Sequence, residues 1–222
     1  MSGFIADNAV GIMIVTETWL KTFTILWWWS KMCWYYANSY CMKSVPHATC
    51  GGGLAVIFRT SLKSSATVIN TFAFEYSPLE LLELTLFLQH IQFHFFRLYR
   101  PPPSNKKTHL SDALFLEQFP DFLSYCNTLR GKMLVLGDFN FQYDCDHKMS
   151  HMRDILTQFD LGQFVRDPTH KSGHVIDWVL QGQPDPRLHS VSVESVLTSE
   201  HMSSVCTMNV SKPVSTHCHV PS

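Results

Sequence analysis

An excess of basic charge is the first thing this sequence lacks: 17 Lys and Arg stand against 18 Asp and Glu, a net charge of −1 over 222 residues. The simplest signature of a nucleic-acid-binding chain is therefore absent, although a local patch or a bound cation can supply the same field. A long apolar run is missing too. The most membrane-like stretch, Leu79 to Phe96, is broken by Glu80, Glu83, His90 and His94, whereas a spanning helix needs about 20 largely uncharged residues. No membrane association is expected. The seven cysteines contain no C-x-x-C pair and no zinc-knuckle spacing. They read as reduced thiols of an intracellular protein with no disulfide-linked partner. Met1 to Asp7 sets no basic stretch ahead of an apolar one, so it does not read as a secretory signal. Lys106-Lys107 is too short for a basic import signal, and no internal repeat is visible.

What is present is a globular composition. Hydrophobic residues make up 45% and charged residues 16%, which excludes a disordered chain and suits one domain with a substantial core. Residues 11–16 and Leu54 to Phe58 are short apolar runs expected to be strands buried on both faces. Gly51-Gly52-Gly53 forms a turn ahead of the second, and the first ten residues are read as the end of a helix. Between Leu82 and Tyr99 the alternation predicts two strands joined by a bend near Gln89–His90, stopped by Pro101-Pro102-Pro103. Ser111 to Leu129 has helical spacing with Ser111 as N-cap, and Pro120 is expected to kink or split it. Lys132 to Leu136, Val175 to Leu180, Val191 to Leu197 and Val205 to Val210 read as strands, and His151 to Phe159 as a helix ended by Gly162. The class is α/β or α+β around β-sheet, with a loose polar tail over 211–222.

Acidic and amide groups recur at the ends of these strands, where loops gather and sites form. Glu17 follows the first strand, Asp138 and Asn140 end that at 132–136, Asp177 sits in Ile176-Asp177-Trp178, and Glu200-His201 follows 191–197. Oxygen ligands from separate strands suit a hard cation such as Mg²⁺. An Asp beside a His holds its tautomer and favours the charged imidazolium, which suits a group facing phosphate. Plainer readings stand beside these: Glu17 as a helix-start residue, Gly137-Asp138-Phe139-Asn140 as an Asx turn, His201 as an ordinary surface histidine, and Tyr99-Arg100-Pro101-Pro102 as an edge-strand exit.

The order of the blocks narrows the choice. Thr16-Glu17-Thr18-Trp19-Leu20, Gly51-Gly52-Gly53-Leu54-Ala55-Val56, Tyr99-Arg100-Pro101-Pro102, Leu136-Gly137-Asp138-Phe139-Asn140, Gly173-His174-Val175-Ile176-Asp177 and Ser199-Glu200-His201 together resemble the endonuclease/exonuclease/phosphatase superfamily. The resemblance is strongest to the endonuclease domain of LINE-type (non-long-terminal-repeat) retrotransposons, relatives of the apurinic/apyrimidinic endonucleases, and covers roughly residues 4–210. It implies a four-layer sandwich of two β-sheets flanked by helices. It also implies Mg²⁺- (or Mn²⁺-) dependent hydrolysis of a phosphodiester, with DNA as the partner that is nicked and the nucleus as the place of action. Carried over, Glu17 and Glu200 become metal ligands, Tyr99 contacts the scissile phosphate, and Asp138 activates the attacking water with help from Asn140. His201 stabilises the phosphate, oriented by Asp177, while Thr169 and Arg100 bind substrate. The domain is taken as 1–210.

Three departures accompany the resemblance. The family opens with a strand bearing an active-site Asn, and only sixteen residues precede Glu17, so that strand is expected to be missing. Glu200 stands where the family has Asp in its Ser-Asp-His motif. The loop after Glu17 carries Trp27-Trp28-Trp29 and Trp34-Tyr35-Tyr36, an apolar cluster where a solvated loop is expected. These features support a second reading, a catalytically inactive remnant or interaction module of the same fold with 27–36 as its surface. A third reading is a phosphatase of the superfamily acting on small phosphates or lipids.

Overall fold

Parallel pairing between two consecutive long strands requires a crossover, and a helix supplies it here. In the computed structural model, β5 (Glu80–Leu88) and β6 (Ile91–Tyr99) form an antiparallel hairpin, with His90 at a φ of 64° in the bend. The chain then runs through helix α1 (Asp112–Thr128) and returns as β7 (Lys132–Asp138), parallel to β6. Helix α2 (Asp146–Gln158), β8 (Leu161–Gln163) and β9 (Asp177–Gly182) follow. With β4 (Ala66–Ile69) these strands make a six-stranded sheet of order β4-β5-β6-β7-β9-β8. A three-stranded sheet holds β3 (Leu54–Arg59) between β1 (Ile12–Val15) and β2 (Trp34–Ser39), and β10 (Leu188–Glu194) pairs with β11 (Ser203–Met208). The structure describes residues 11–15, 34–39, 54–59, 62, 66–69, 79–88, 90–102, 111–182, 187–195 and 199–209.

The two faces of the large sheet follow from the period-two alternation of its strands. Phe96 meets Phe122 of α1 edge-on at 5.4 Å, so the even-numbered residues of β6 face the helix. The odd-numbered residues Phe93, Phe95, Arg97 and Tyr99 face the other way. Val56 and Phe58 of β3 belong to the same buried apolar cluster, and Arg187 lies over the Phe93 ring at 5.8 Å. Gly137 belongs to the helix-facing set of β7, where a Cβ would collide with the Leu98 carbonyl oxygen of β6. No side chain larger than hydrogen fits at that close approach.

Several expectations are corrected. Helix α1 runs unbroken through Pro120, because Phe115 and Phe119 before it and Phe122, Leu123 and Cys126 after it are all buried and hold both halves to the sheet. Ser111 caps it as expected, its Oγ accepting from the Leu114 N–H at 3.1 Å. Helix α2 begins at Asp146 and ends at Gln158, with Phe159 as its C-cap and Asp160 following at a φ of 53°; Gly162 lies inside β8. Strand β9 starts at Asp177, because the N–H groups of Ile176 and Asp177 both bond to the Thr169 side chain. Strand β1 is half-buried over Ile12 to Ile14 and, among the described residues, pairs with β3 alone. Three strands went unpredicted: β2, β4 and β8. Trp34, Tyr35 and Tyr36 lie in β2, opposite Arg59, Phe58 and Ile57. Residues 1–10, Glu17, Trp27 to Trp29, Gly51 to Gly53 and the tail 211–222 lie outside the described residues, so the missing-strand expectation lies there too. Among the described residues no helix is long and apolar enough to cross a membrane, and Cys126, Cys145 and Cys206 are free thiols.

Candidate active site

Tyr99, Asp138 and Asp177 are register partners on three adjacent strands: Tyr99 of β6 opposite Asp138 of β7, and Asp138 opposite Asp177 of β9. Register partners share a face, so these three side chains form a row at one end of the sheet. His201 joins the row from the segment between β10 and β11. An isolated bridge pairs it with His170, and Met202 N–H donates to Thr169 O at 2.7 Å. One ligand atom each of Asp138, Asp177 and His201 lies within 4.8 Å of the others.

The cluster is ordered by hydrogen bonds. His201 Nδ1 lies 2.9 Å from Asp177 Oδ2 and donates to it, and His201 Nε2 stops 3.9 Å from Asp138 Oδ2. That second gap is too long for a hydrogen bond. Asp138 is buried, and both its oxygens are held by Asn140: Oδ1 accepts from the Asn140 backbone N–H at 2.9 Å and Oδ2 from its Nδ2 at 3.0 Å. Asn140 reaches this position with a φ of 44°, a left-handed conformation that asparagine tolerates better than most residues. Burial, reinforced by the Asp177 charge, pushes the Asp138 carboxyl up to about 7 against the opposing pull of His201, the Asn140 N–H and Arg97. A carboxylate at that value is poised to take or give a proton near neutral pH.

The remaining predicted residues take supporting places. Thr169 is fully buried, and its Oγ1 accepts from the backbone N–H groups of both Ile176 and Asp177, at 3.0 and 2.9 Å. From this buried place it sets the position of Asp177. Arg100 was read as a substrate-binding group, but it is sealed from solvent. Its guanidinium donates to Phe139 O, to Asn140 O at 2.9 Å and to Asp112 Oδ1 at 2.6 Å, and it lies 4.9 Å over the Phe115 ring. It therefore clamps the loop after β7 onto α1. Glu200 does not join the Asp138–Asp177–His201 group; its side chain is 79% exposed, with Oε2 3.9 Å from His170 Nε2. Glu17 lies outside the described residues.

Sequence reasoning passed over two residues beside the site. Arg97 is buried on the site face two residues before Tyr99, and Asp177 and Asp138 partly offset the burial that lowers it to about 10. The period-two rule applied back from Tyr99 would have found it. His170 follows Thr169 directly, and only the bridge to His201 brings it to the site.

This fold is shared with solved nuclease and phosphatase structures. The chain is similar in structure to a 3′ phosphatase, NExo, from Neisseria bound to product DNA hairpin (TM-score 0.72, 17% identity, 94% of this chain and 92% of that one). It is also similar to an AP endonuclease from Archaeoglobus fulgidus (TM-score 0.66, 12% identity, 94% and 92%). An endonuclease/exonuclease/phosphatase family protein from Leptotrichia buccalis matches as well (TM-score 0.57, 14% identity, 92% and 89%). No family model and no curated protein sequence matches the chain.

Proposed function

We propose that this chain is a metal-dependent phosphodiesterase that nicks DNA, derived from the endonuclease domain of a LINE-type retrotransposon. The observation that carries the activity is the Asp138–Asp177–His201 cluster, gathered within 4.8 Å at the end of the sheet on a fold whose structural neighbours include one bound to a product DNA hairpin. The retrotransposon derivation rests on the order of the six sequence blocks.

The chain's own groups divide the work. Asp138, held by Asn140 and pushed up to about 7, takes the proton of the attacking water. His201 keeps Nδ1 on Asp177 and turns Nε2 to a phosphoryl oxygen, where its charged form stabilises the developing negative charge. Tyr99, at the same level of the sheet as Asp138, contacts the phosphate. The donor set fits Mg²⁺ or Mn²⁺, because burial and the nearby Asp177 charge both penalise the ionised Asp138 carboxylate, a penalty that a hard cation relieves. Those carboxylates, with Glu17 by resemblance, would hold it; when bound, it neutralises charge on the phosphoryl group and acidifies water. Glu200, exposed and facing His170, stands apart from that set.

Conversion of supercoiled plasmid to nicked circles in Mg²⁺ tests the proposal, with Asp138→Ala and His201→Ala as controls. Equal background from all three proteins overturns it and favours the inactive-module reading, which the displaced Glu200 also supports. Release of phosphate from small esters without nicking favours the small-phosphate reading. Limited proteolysis that trims 211–222 and spares the rest supports a domain spanning 1–210.

A further inference from the structure

His170 has no part in the chemistry above, yet it is the side chain best prepared to meet a ligand at the rim of the site. Its ring stands edge-on to His201, with centroids 5.0 Å apart and planes at 76°. Two backbone contacts flank the pair: Met202 N–H to Thr169 O, and Lys171 N–H to Glu200 O at 2.9 Å. The tautomer of His170 is set by its own turn. The Ser172 backbone N–H donates to Nδ1 at 3.1 Å, and Ser172 Oγ lies 2.7 Å from the same nitrogen. A ring nitrogen that accepts a hydrogen bond carries no proton, so the proton is on Nε2 and Nε2 is a donor. Gly173, at a φ of 84°, closes the turn by donating its N–H to His170 O at 2.9 Å.

That donor is unspent. Glu200 Oε2, at 3.9 Å, is beyond hydrogen-bonding range, and the His170 side chain is 23% exposed. The two histidines also face different groups. His201 Nε2 looks toward buried Asp138 on the floor, whereas His170 Nε2 looks toward Glu200 at the rim. They are placed for two different anions and not for one held between them.

We propose that His170 is a specificity-determining residue whose Nε2–H binds the phosphate adjacent to the scissile one on a DNA strand, with Glu200 as a rim carboxylate that competes for this donor and repels the strand. The inference rests on the phosphodiesterase reading and deepens it by making a polynucleotide, with its second phosphate, the preferred substrate class over a small phosphate ester. Because the ring is neutral, the contact releases no counterion; it adds affinity without adding salt dependence.

Fluorescence anisotropy of a short fluorescein-labelled DNA duplex, titrated in EDTA so that nothing is cleaved, tests this across a range of salt. His170→Ala is expected to bind about tenfold more weakly, as for one hydrogen bond to a charged group, with the slope of log affinity against log salt unchanged. His170→Gln retains an N–H donor and is expected to stay within about threefold of the wild type. Glu200→Gln is expected to bind about threefold more tightly, because a like charge leaves the rim. Unchanged affinity in His170→Ala, or a loss that His170→Gln does not recover, overturns the inference and leaves the proposed activity standing. A loss accompanied by a shallower salt slope overturns the neutral-donor assignment. Absence of DNA binding by the wild type overturns both the inference and the reading beneath it.

Discussion

Two acid–histidine pairs lie on opposite faces of the same six-stranded sheet. Under α1, Glu83 Oε1 meets His94 Nδ1 at 2.7 Å, with side chains 2% and 5% exposed. At the sheet end, Asp177 Oδ2 meets His201 Nδ1 at 2.9 Å, with side chains 16% and 30% exposed. In the first pair both ring nitrogens are engaged: Thr85 Oγ1 also donates to Glu83 Oε1, and His94 Nε2 faces the Arg130 carbonyl at 3.0 Å. In the second, His201 Nε2 ends in a 3.9 Å gap before Asp138. The same two functional groups thus stand in one place sealed between sheet and helix and in the other partly exposed at the end of the sheet. Burial makes the difference, not residue type.

The largest effect expected from breaking this contrast is at the end of the sheet. Asp138→Ala and His201→Ala are each expected to lower plasmid nicking about a thousandfold, within the range for loss of a positioned proton-transfer or charge-stabilising group. His201→Ala is expected to change unfolding free energy by about 1 kcal/mol or less, since its ring is partly exposed. The buried pair reverses this pattern. His94→Ala strands the Glu83 carboxylate and is expected to cost about 3–5 kcal/mol in urea unfolding, while a Glu83→Leu/His94→Leu double variant recovers most of that loss. Full stability in His94→Ala would show that the Glu83–His94 pair is not a structural element.

Thr169 connects the partly exposed pair to its backbone support. Thr169→Val leaves the Ile176 and Asp177 N–H groups without their acceptor. It is expected to cost about 2 kcal/mol and to reduce nicking through misplacement of Asp177. A variant of normal stability and activity would show that Asp177 is placed by other contacts.

The smallest expected effect is pH dependence. Nicking in Mg²⁺ should reach its plateau below pH 7, because a cation beside Asp138 favours its ionised form. Stability runs the other way. The Asp138 carboxyl sits at about 7 in the folded chain against an ordinary 3.8, so between those values the folded state holds a proton that the unfolded state has released. Stability from this group is therefore greatest below about pH 4 and declines as pH rises through 7. Melting temperature measured against pH should show that decline in the wild type and lose it in Asp138→Asn. Parallel curves would show that Asp138 ionises normally.

Much of this was legible before any coordinates. The β5–β6 hairpin followed from alternation, and the bend near His90 from the break in it. The Ser111 cap and the strand leading to Asp138 followed from short apolar runs bounded by polar residues, because local burial writes its period directly into the chain. Strand β8 could not be read, since three residues carry too little period to register. Pro120 misled, because its local cost is outweighed by five buried anchors along α1. Arg100 misled in the same way, its charge suggesting a ligand when Asp112 and two carbonyls of the β7 loop consume it.

The sequence by itself determined which residue types stand at the strand ends, in what order, and hence the superfamily fold. Only the tertiary structure decided that Asp138 and Asp177 face each other, that His201 is partly exposed and His94 buried, and that His170 stands at the rim. Those outcomes depend on register and crossover: pairing across β6, β7 and β9, and a bridge between residues 31 positions apart. Long-range pairing of that kind leaves no period in a local window of sequence.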